Sequence, residues 1–448
     1  MKKALIVGMA RSGVSSARLL AKNGWHVIVN DNRSEVPGME EALLGIEYEN
    51  ALGEPPEMFY DGLDLMVLSP GVSMFQAFIE KARERNIEII GEIELGYRYA
   101  KGDFLCITGT NGKTTCTALT GEICGRTDRN TLVLGNIGTP LTKCAMDTKE
   151  NDFVVVETAA LQLEGNKRFH AHVAAVTNIT EDHLDRFLTM DYYIACKCRI
   201  FDNQTADDYA VLNYDDPIVR AMKEKTPAKV LYFSRREKVD EGVYVDGDEI
   251  RYAVNGKAGV LMKVNEVRIP GMHNLENAML CAAIGLSQDI APKTVAAALK
   301  EFPGVEHRIE YVAEVEGVRY INDSKGTNPD STIQAIRSMN TPTVLLLGGY
   351  DKHSTFSSLF KEMKKLRIKE AVLLGETADK LLQFAKEAGY QNVHVVRGPF
   401  LGAVEKARSL AQKGDTVLLS PACASWDMFE NFEERGRVFK EIVKGFQS

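Results

Sequence analysis

A glycine-rich stretch constrains this chain more than any other feature; it consists of Gly109-Thr110-Asn111-Gly112-Lys113-Thr114-Thr115. The apolar residues 104–107 before it predict a buried strand, and residues 117–123 after it predict the start of a helix. Backbone N–H groups of such a turn converge on a polyphosphate, and the helix N-terminus adds partial positive charge. Lys113 adds a full charge, and the hydroxyl of Thr114 suits Mg²⁺. The stretch therefore predicts that the chain handles a nucleoside triphosphate.

Composition limits the fold and argues against several classes of protein. A chain of 448 residues is too long for one core and predicts two or three domains. No apolar run approaches the ~20 residues that a membrane helix needs, and the run near the N-terminus ends at Gly8, too early for a signal peptide. The net charge of −8 argues against nucleic acid as the main partner. The eight cysteines form no Cys-x-x-Cys pair, so we expect reduced thiols in a cytoplasmic protein.

Alternating apolar runs and helix-like stretches predict an α/β fold of three domains, with bounds at 1–91, 92–304 and 305–448. Strands of the first domain are predicted at 4–7, 26–29, 65–68 and 87–90. Strands of the central domain are predicted at 104–107, 152–157 and 172–179, followed by a small antiparallel sheet within 230–270 and a helix at 274–286. Strands of the third domain are predicted at 318–321, 343–349, 371–375 and 416–420. The last three runs end at glycine or serine, where an open parallel sheet places its ligand-facing loops.

The first glycine turn, residues 8–13, approximates the dinucleotide-binding fingerprint, and Asp31 ends the next strand. Ala10 takes the place of the central glycine of that fingerprint. The helix that follows offers free N–H groups to an anion. A phosphate or nucleotide site and a tight turn without a ligand are about equally supported by this motif alone. A second strand that ends in a glycine turn, at 69–71, adds modest weight to a ligand.

Three polar side chains of the central domain are candidates for a role in the chemistry, and one of them, Glu157, suits a metal site. Glu157 ends a strand beside the phosphate loop, and Mg²⁺ prefers oxygen ligands, so Thr114, Glu157 and phosphate oxygens form a sensible set. His183 follows Asp182 in a loop after a strand, although a lone histidine is more often structural. Lys197 lies in a helical stretch with few polar neighbours, where a side chain that extends to the surface is the favoured interpretation.

Three loops of the third domain combine lysines and hydroxyls at strand ends, at 322–328, 348–352 and 420–426. Such groups suit a small anionic substrate with carboxylate groups. Each loop alone is also compatible with a solvated turn. Three of them in one domain favour a binding site.

Taken together, these segments resemble the Mur ligase family, the ATP-dependent amino-acid ligases of peptidoglycan synthesis, over essentially the whole chain. The phosphate loop marks the superfamily, whereas the segments 322–329, 419–425 and 431–436 look like the member that adds D-glutamate. The resemblance implies a Rossmann-like N-terminal domain, a central P-loop-type ATPase domain and a Rossmann-like C-terminal domain. It implies that ATP phosphorylates the carboxylate of UDP-N-acetylmuramoyl-L-alanine and that the D-glutamate amine attacks the acyl phosphate. A tetrahedral intermediate then releases phosphate. We expect a cytoplasmic monomer.

The resemblance also implies a role for individual residues. The catalytic residues would be Lys113, Glu157, His183 and Lys197. ATP would contact Gly109, Thr110, Asn111, Gly112, Lys113, Thr114, Thr115, Asn274, Asn277, Arg308 and Asp323. The UDP-linked substrate would contact Arg11, Ser12, Asp31, Asn32, Arg33, Gly71, Asn136, Gln162 and His183. D-glutamate would contact Lys325, Thr327, Lys352, Ser425 and Phe432. Two Mg²⁺ ions would be held by Thr114, Glu157, His183 and a carbamylated Lys197.

One departure from the family pattern lies beside the expected metal carboxylate. The family usually has Glu-x-Ser-Ser-Phe-Gln-Leu, whereas this chain has alanine at 159 and 160 and leucine at 161. The loss of a typical hydrogen bond costs about 0.5–1.5 kcal/mol, so we expect weaker substrate binding without loss of the reaction. Gln162 is retained.

Three other functions remain as alternatives. Folylpolyglutamate synthesis uses the same phosphate loop but leaves the N-terminal domain unexplained. An NAD-dependent oxidoreductase would use the first glycine turn but leaves Glu157 and the C-terminal lysines without a role. A non-catalytic nucleotide-binding regulator is supported only by Ala159 and Ala160. Phosphate release that requires both UDP-N-acetylmuramoyl-L-alanine and D-glutamate would separate all of them.

Overall fold

Three mainly parallel β-sheets organise the chain in the computed structural model, which describes residues 1–136, 138–182, 184–352, 354–366 and 368–446. The chain divides into two compact units by its contacts. One unit comprises residues 1–179, 186–267 and 276–302 and contains the first two sheets, whereas the other comprises 180–185, 268–275 and 303–448 and contains the third. The three predicted domain boundaries stay predictions. Among the described residues, no helix has both the length and the apolar character to cross a bilayer.

The first sheet has five parallel strands in the order β3-β2-β1-β4-β5. Its strands are β1 (Lys3–Val7), β2 (His26–Asn30), β3 (Glu49–Asn50), β4 (Leu65–Leu68) and β5 (Glu88–Gly91). Its helices are α1 (Arg11–Lys22), α2 (Met39–Ala42), α3 (Ala77–Glu84) and α4 (Glu92–Tyr99). In β1 the side chains of Ala4 and Ile6 enter one apolar cluster and those of Leu5 and Val7 enter another. Both faces are therefore covered, which explains the continuous apolar run in the sequence.

The second sheet has nine strands in the order β14-β13-β12-β11-β10-β9-β6-β8-β7. Its strands are β6 (Asp103–Thr108), β7 (Thr131–Gly135), β8 (Phe153–Glu157), β9 (Val173–Val176), β10 (Tyr209–Asn213), β11 (Lys229–Ser234), β12 (Gly242–Asp246), β13 (Glu249–Val254) and β14 (Lys257–Lys263). Its helices are α5 (Lys113–Gly125), α6 (Leu141–Cys144), α7 (Ala160–Leu163), α8 (Leu184–Phe187), α9 (Met190–Cys198), α10 (Pro217–Ala221), α11 (Met272–Ser287) and α12 (Pro292–Glu301). The predicted antiparallel part is present as β12, β13 and β14, and it extends the edge of this sheet.

The third sheet has six strands in the order β15-β16-β20-β17-β18-β19. Its strands are β15 (Glu310–Val315), β16 (Val318–Asn322), β17 (Thr343–Gly348), β18 (Ile368–Leu374), β19 (Val393–Val395) and β20 (Thr416–Leu419). Its helices are α13 (Pro329–Arg337), α14 (Ser357–Met363), α15 (Ala378–Glu387), α16 (Phe400–Leu410) and α17 (Phe432–Gly445). Among the described strands of this sheet, only β15 is antiparallel to its neighbour, so the loops after β16, β17 and β20 lie at the same edge of the sheet. This α/β architecture confirms the predicted fold class. All eight cysteines are free thiols, as predicted.

Candidate functional site

The phosphate-binding loop connects β6 to α5, as predicted, and two of its glycines have no room for a side chain. Gly109 has φ +138°, and a Cβ there would lie 1.9 Å from Thr177 Oγ1. Gly112 has φ +87°, and a Cβ there would lie 2.5 Å from Asn277 Oδ1. Both backbone conformations favour glycine. Close packing therefore places Asn277, a predicted ATP residue, directly beside the loop.

Two residues that hold the loop, Thr177 and Asn178, were not identified from the sequence. The carbonyl of Asn178 accepts a hydrogen bond from the N–H of Thr110 at 2.8 Å, and its side-chain oxygen accepts one from the N–H of Asn111 at 2.9 Å. The Thr177 hydroxyl donates to the carbonyl of Asn111 at 2.7 Å. Both residues follow β9, the strand beside β6. Only their position at the end of a neighbouring strand could have suggested this role.

Two lysines place their ammonium groups on carbonyls of the loop. Lys113 donates to the carbonyls of Gly109 and Thr110 at 3.0 and 2.7 Å. Lys197 donates to the carbonyl of Gly109 at 2.7 Å and lies over the ring of Tyr193, 4.5 Å from its centroid. Lys197 is only 1% exposed. The prediction from the local sequence that the Lys197 side chain extends to the surface is therefore wrong, because the face of α9 that carries Lys197 packs against the loop.

Glu157 lies at the end of β8, in register with Ile107 of β6, so its carboxylate is next to the strand that leads into the loop. Its Oε1 accepts a hydrogen bond from Asn136 Nδ2 at 2.8 Å. Its Oε2 is buried and has no hydrogen-bond partner among the described residues. A buried, half-satisfied carboxylate is costly unless a cation or donor completes it. Together with the buried hydroxyl of Thr114 it fits the oxygen ligands that Mg²⁺ prefers.

Two more residues predicted to contact ATP, Thr115 and Asn277, lie in or beside the loop. Thr115 is buried in the first turn of α5, which starts at Lys113. Asn277 accepts a contact from Cys116 Sγ at 3.4 Å to Oδ1. His183, predicted for metal and substrate, lies outside the described residues.

The first glycine turn lies between β1 and α1, at the end of the sheet where Asp31 follows β2 and Ser69 follows β4. Asp31 accepts hydrogen bonds from the N–H of Met9 at 2.8 Å and from the guanidinium of Arg33 at 2.9 and 3.1 Å. The hydrogen bonds from Arg33 lower the pKa of Asp31 to about 2. The structure therefore joins two predicted UDP-binding residues in one ion pair and ties it to the turn.

The remaining residues predicted for the UDP-linked substrate lie around these strand ends. Arg11, Asn32 and Gly71 are exposed, and Ser12 is half-buried in the first turn of α1. A cleft of about 620 Å³ runs along α1, with four basic residues and one acid in its lining, namely Arg11, Arg18, Lys22, Lys143 and Asp147. This cleft meets the predicted site at Arg11. Its charge suits an anionic ligand although the chain as a whole is acidic.

Gln162 has a structural partner next to the alanines that replace the family's serines. Its Oε1 accepts a hydrogen bond from the N–H of Ala159 at 3.0 Å, which caps the start of α7. Ala159 at this N-cap offers no side-chain acceptor, so Gln162 alone supplies the cap from a side chain. The side chain of Gln162 is buried. The predicted substrate contact of Gln162 stays a prediction.

In the other compact unit, the loops of the third sheet bring together residues predicted for D-glutamate. Lys325 Nζ lies 4.6 Å from the ring centroid of Phe432, a cation–π contact. Ser425 is buried at the end of the loop after β20, and Thr327 is half-buried. Lys352 contacts Asp182 at 3.4 Å, with both side chains largely buried. The sequence did not identify Asp182 as a partner of Lys352.

Arg435 was also missed as the residue that holds these loops together. Its guanidinium donates to the Ser324 hydroxyl and carbonyl at 3.0 and 2.8 Å and to the carbonyls of Cys423 and Ala424 at 3.2 Å. It is 2% exposed, and burial lowers its pKa to about 10, so it stays cationic at neutral pH. Its place in the segment 431–436 was the available signal.

The three predicted ATP residues of this unit have buried polar partners. Asp323 Oδ2 accepts from the Ser420 hydroxyl at 2.7 Å, and burial raises the pKa of Asp323. Arg308 lies 3.8 Å from Asp323 Oδ1 and donates to the Ser331 hydroxyl at 2.6 Å. Asn274 donates to the carbonyl of Pro270 at 2.7 Å. The structure thus brings Arg308 and Asp323 together as one pair.

Comparison with known proteins identifies each part of the chain. Residues 2–91 match the model of the Mur ligase MurD-like N-terminal domain, residues 107–285 match the Mur ligase middle domain, and residues 307–423 match the Mur ligase glutamate ligase domain. A protein of Caldanaerobacter subterraneus named UDP-N-acetylmuramoylalanine--D-glutamate ligase is 44% identical over 99% of this chain and 98% of its own length. A protein of the same name from Clostridioides difficile is 45% identical over 100% of this chain and 99% of its own.

Solved structures share the fold at low sequence identity. UDP-N-acetylmuramate-alanine ligase MurC from Thermotoga maritima has a TM-score of 0.63 at 20% identity, with 99% of each chain covered. A pseudomurein peptide ligase type C from Methanothermus fervidus has a TM-score of 0.61 at 19% identity, covering 99% of this chain and 100% of its own. These likenesses support the architecture of the fold.

Proposed function

Because this chain belongs to the Mur ligase family, we propose that it uses ATP to join D-glutamate to UDP-N-acetylmuramoyl-L-alanine, forming ADP and phosphate. The shared name of its full-length relatives supports this substrate pair. The enzyme class is that of an amide-forming ligase, as predicted from the sequence. We place the reaction in the cytoplasm, where ATP and UDP-linked precursors are made, and propose that the enzyme acts as a monomer.

The observation that carries the proposal is the pairing of the phosphate loop with Glu157. A glycine-rich turn at a helix N-terminus binds the polyphosphate, and Lys113 stabilises its charge. Glu157 Oε2 is buried and without a partner among the described residues, which supports its proposed role as a cation ligand. When bound, Mg²⁺ would neutralise phosphate charge as it builds up, and Thr114 and Glu157 would hold it.

The first chemical step is phosphoryl transfer to the alanyl carboxylate. A carboxylate oxygen attacks the γ-phosphorus, an O–P bond forms, and the bond from that phosphorus to the β-γ bridging oxygen breaks with its electrons leaving on ADP. The loop N–H groups and Lys113 face the negative charge that moves between these oxygens. The product is an acyl phosphate, in which the carbonyl carbon is electrophilic.

The second step forms the amide. The neutral amine of D-glutamate attacks the acyl carbon, and a tetrahedral intermediate collapses with loss of phosphate and of one amine proton. Lys325 and Lys352, with Ser425 and Thr327, are the groups we propose for binding the two carboxylates of D-glutamate. Arg435 supports them, since it holds the loops that carry Ser324 and Ala424.

We also propose that Lys197 is carbamylated and that two Mg²⁺ ions bind, the second with His183 and this carbamate. The neutral amine of Lys197 would attack CO₂, forming an N–C bond and releasing a proton. The remaining N–H could still donate to the carbonyl of Gly109, as the ammonium does at 2.7 Å. Burial beside the loop argues against a solvated cation, and the Lys197 side chain lies next to the proposed metal site.

The carbamate predicts a rescue experiment. Lys197→Ala should lose most phosphate release, and added formate or acetate should recover part of it by supplying a carboxylate in the space left. Lys113→Ala is the matched control, because its lost positive charge is not replaced by an anion, and it should show no rescue. Absence of rescue in Lys197→Ala with unchanged Mg²⁺ affinity would contradict the carbamate.

The proposed function is tested by phosphate release and by isotope transfer. Release should require UDP-N-acetylmuramoyl-L-alanine and D-glutamate together, with L-glutamate and UDP-N-acetylmuramate as inactive controls. Label in the carboxylate oxygens of the UDP-linked acid should appear in the released phosphate, because one such oxygen bridges to phosphorus in the acyl phosphate. Unlabelled phosphate, or release without the acid, would overturn the proposal.

A further inference from the structure

We propose that Arg186 is a positioning residue: it fastens the loop after β4 of the first sheet to the segment after β8 of the second. The loop carries Gly71, predicted for the UDP-linked acid, and the segment follows Glu157, predicted for the metal. Arg186 itself lies three residues after His183. This inference rests on the proposed function, since it concerns how an acid held by one sheet meets the phosphate loop of the other.

The guanidinium of Arg186 bonds to both sheets of the same compact unit. Nη1 donates to the carbonyl of Pro70 at 2.7 Å, and Nη2 donates to the carbonyl of Val72 at 3.0 Å. Nη2 also donates to Glu164 Oε2 at 2.7 Å. Arg186 therefore holds the two carbonyls that flank Gly71. These contacts join residues more than 110 positions apart in the sequence.

Burial and a further hydrogen bond hold Glu164, the partner of Arg186 in the segment after β8, in place. The side chain of Glu164 is 1% exposed and that of Arg186 is 13% exposed. Glu164 Oε1 also accepts from the Tyr192 hydroxyl at 3.1 Å. A charge-assisted pair in such surroundings is geometrically specific, and removal of one partner leaves a buried charge. The orientation of the Arg186 guanidinium, which bonds the loop after β4, is therefore held by its pair with Glu164.

A small cavity of about 10 Å³ lies at the same place, and segments next to both sheets contribute to its lining. Glu92, Gln162 and Arg186 all line it. Arg186 Nε and Glu92 Oε2 are buried without a hydrogen-bond partner among the described residues. Charged and amide groups therefore meet apolar side chains here. The directional bonds that the other guanidinium nitrogens of Arg186 make to Pro70, Val72 and Glu164 fix an orientation more strictly than apolar contact does.

Because Arg186 holds the carbonyls of Pro70 and Val72, it also determines the direction of backbone N–H groups in this loop. Because a peptide group is planar and trans, its N–H points opposite to its C=O. With the carbonyl of Pro70 directed at Arg186, the N–H of Gly71 faces away from it. Gly71 is exposed and a Cβ there would meet no atom within 4 Å, so the loop has free space around this residue. Arg186 thereby orients a donor for the acid without contacting it.

The matched control is Arg199, which also bonds backbone carbonyls of this region but leaves the loop alone. It donates to the carbonyls of Glu164 and Asn166 at 2.5 and 2.6 Å. Arg186→Met should raise the Kd for UDP-N-acetylmuramoyl-L-alanine about tenfold and lower kcat about 10²-fold, since misplacement by about 1 Å has such effects. The Kd for ATP should change less than about twofold. Arg199→Met should change stability but neither of these constants.

Two further measurements separate positioning from a general loss of structure. Arg186→Lys keeps the charge but not the fork of donors, so its Kd for the acid should lie between those of wild type and Arg186→Met. Hydrogen exchange at 70–76 should speed up in Arg186→Met and stay at the wild-type rate in Arg199→Met. Equal losses of ATP and acid affinity, or equal effects of the two Met variants, would overturn the inference.

The exchange measurement needs no substrate, so it also separates this inference from the proposed function. If wild type releases no phosphate with both substrates, the proposed function fails while exchange still reports whether Arg186 holds the loop. If wild type is active and exchange at 70–76 is the same in both variants, the positioning role fails alone.

Discussion

Two glycine turns of the same compact unit lie after parallel strands and lead into helices, yet the carboxylates beside them differ. Beside the first turn, Asp31 is paired with Arg33 and with the N–H of Met9. Beside the second, Glu157 has one oxygen bound by Asn136 and one without a partner among the described residues. The local motif predicts an anion site in both cases. The carboxylate at the end of the neighbouring strand is therefore bonded within the protein in the first case, and keeps an oxygen without a partner among the described residues in the second.

The cations differ in the same way. Arg11 and Arg33, at the first turn, are exposed. Lys113 and Lys197, at the second turn, contact loop carbonyls, and Lys197 is buried. Exposed cations attract and orient a charged ligand, whereas buried ones act in a medium of low dielectric where each charge has a larger effect. The comparison is consistent with the proposal that the first turn binds the UDP-linked acid and the second turn carries the chemistry.

Glu157→Gln should have the largest effect of the variants considered, because it removes the carboxylate that we propose as a cation ligand while keeping the shape of the side chain. We expect kcat for phosphate release to fall about 10³-fold, by analogy with other losses of electrostatic stabilisation in a transition state. The Kd for the UDP-linked acid should change much less. Steady-state phosphate release and calorimetric binding measure the two quantities.

Asn136→Asp is a control for that variant, since it perturbs the bonded oxygen and leaves the other one in place. Its effect on kcat should be smaller than that of Glu157→Gln. Equal activity of Glu157→Gln and wild type would contradict the assignment of chemistry to the second turn.

Asp31→Asn should have a smaller effect than Glu157→Gln, and of a different kind. It should weaken binding of the UDP-linked acid and lower the free energy of unfolding in a pH-dependent way. The Kd for the UDP-linked acid should rise about tenfold, equivalent to about one charge-assisted hydrogen bond, with kcat kept. The pKa of Asp31, about 2, is below the 3.8 of an unperturbed aspartate, so the carboxylate stabilises the fold above pH 3.8 and loses this effect as pH falls through about 2. The difference in unfolding free energy between wild type and variant should therefore shrink from pH 7 to pH 3.

Urea denaturation at several pH values measures this difference. Asp61→Asn is the control, because its exposed pair with Arg85 contributes at most about 1 kcal/mol. A difference for Asp31→Asn that grew on acidification would show that the pair with Arg33 does not stabilise the fold.

Ala159→Ser should have the smallest effect, and it distinguishes a contribution to stability from a contribution to substrate binding. A serine at this N-cap gives α7 a side-chain acceptor, worth about 0.5–1 kcal/mol in a helix this short. Ala160→Ser, one position into the helix, should not stabilise the fold. Urea midpoints measure stability, and the KM for the UDP-linked acid reports any new substrate contact. A lower KM in Ala159→Ser would show that the family's hydroxyl binds substrate.

Much of the fold was predictable because strands covered on both faces leave continuous apolar runs, as at 4–7, 104–107 and 343–348. The edge strand β7 (Thr131–Gly135) was missed, since only its last two residues are buried and its apolar run is short. The predicted small antiparallel sheet was located, but its continuity with the central sheet depends on pairing between β11 and β12. Pairing of distant strands leaves no periodic signal in the chain.

The amino-acid sequence alone determined the family and the phosphate loop, because these depend on local order and spacing, whereas its assignment of residues to each ligand stays a prediction. The tertiary structure decided that Lys197 is buried on the loop, that Asp31 is paired while Glu157 Oε2 has no partner among the described residues, and that Arg186 spans two sheets. The partners of these groups are backbone carbonyls and carboxylates far away in the chain. A carbonyl is present at every position, so only folding selects which one a given side chain meets.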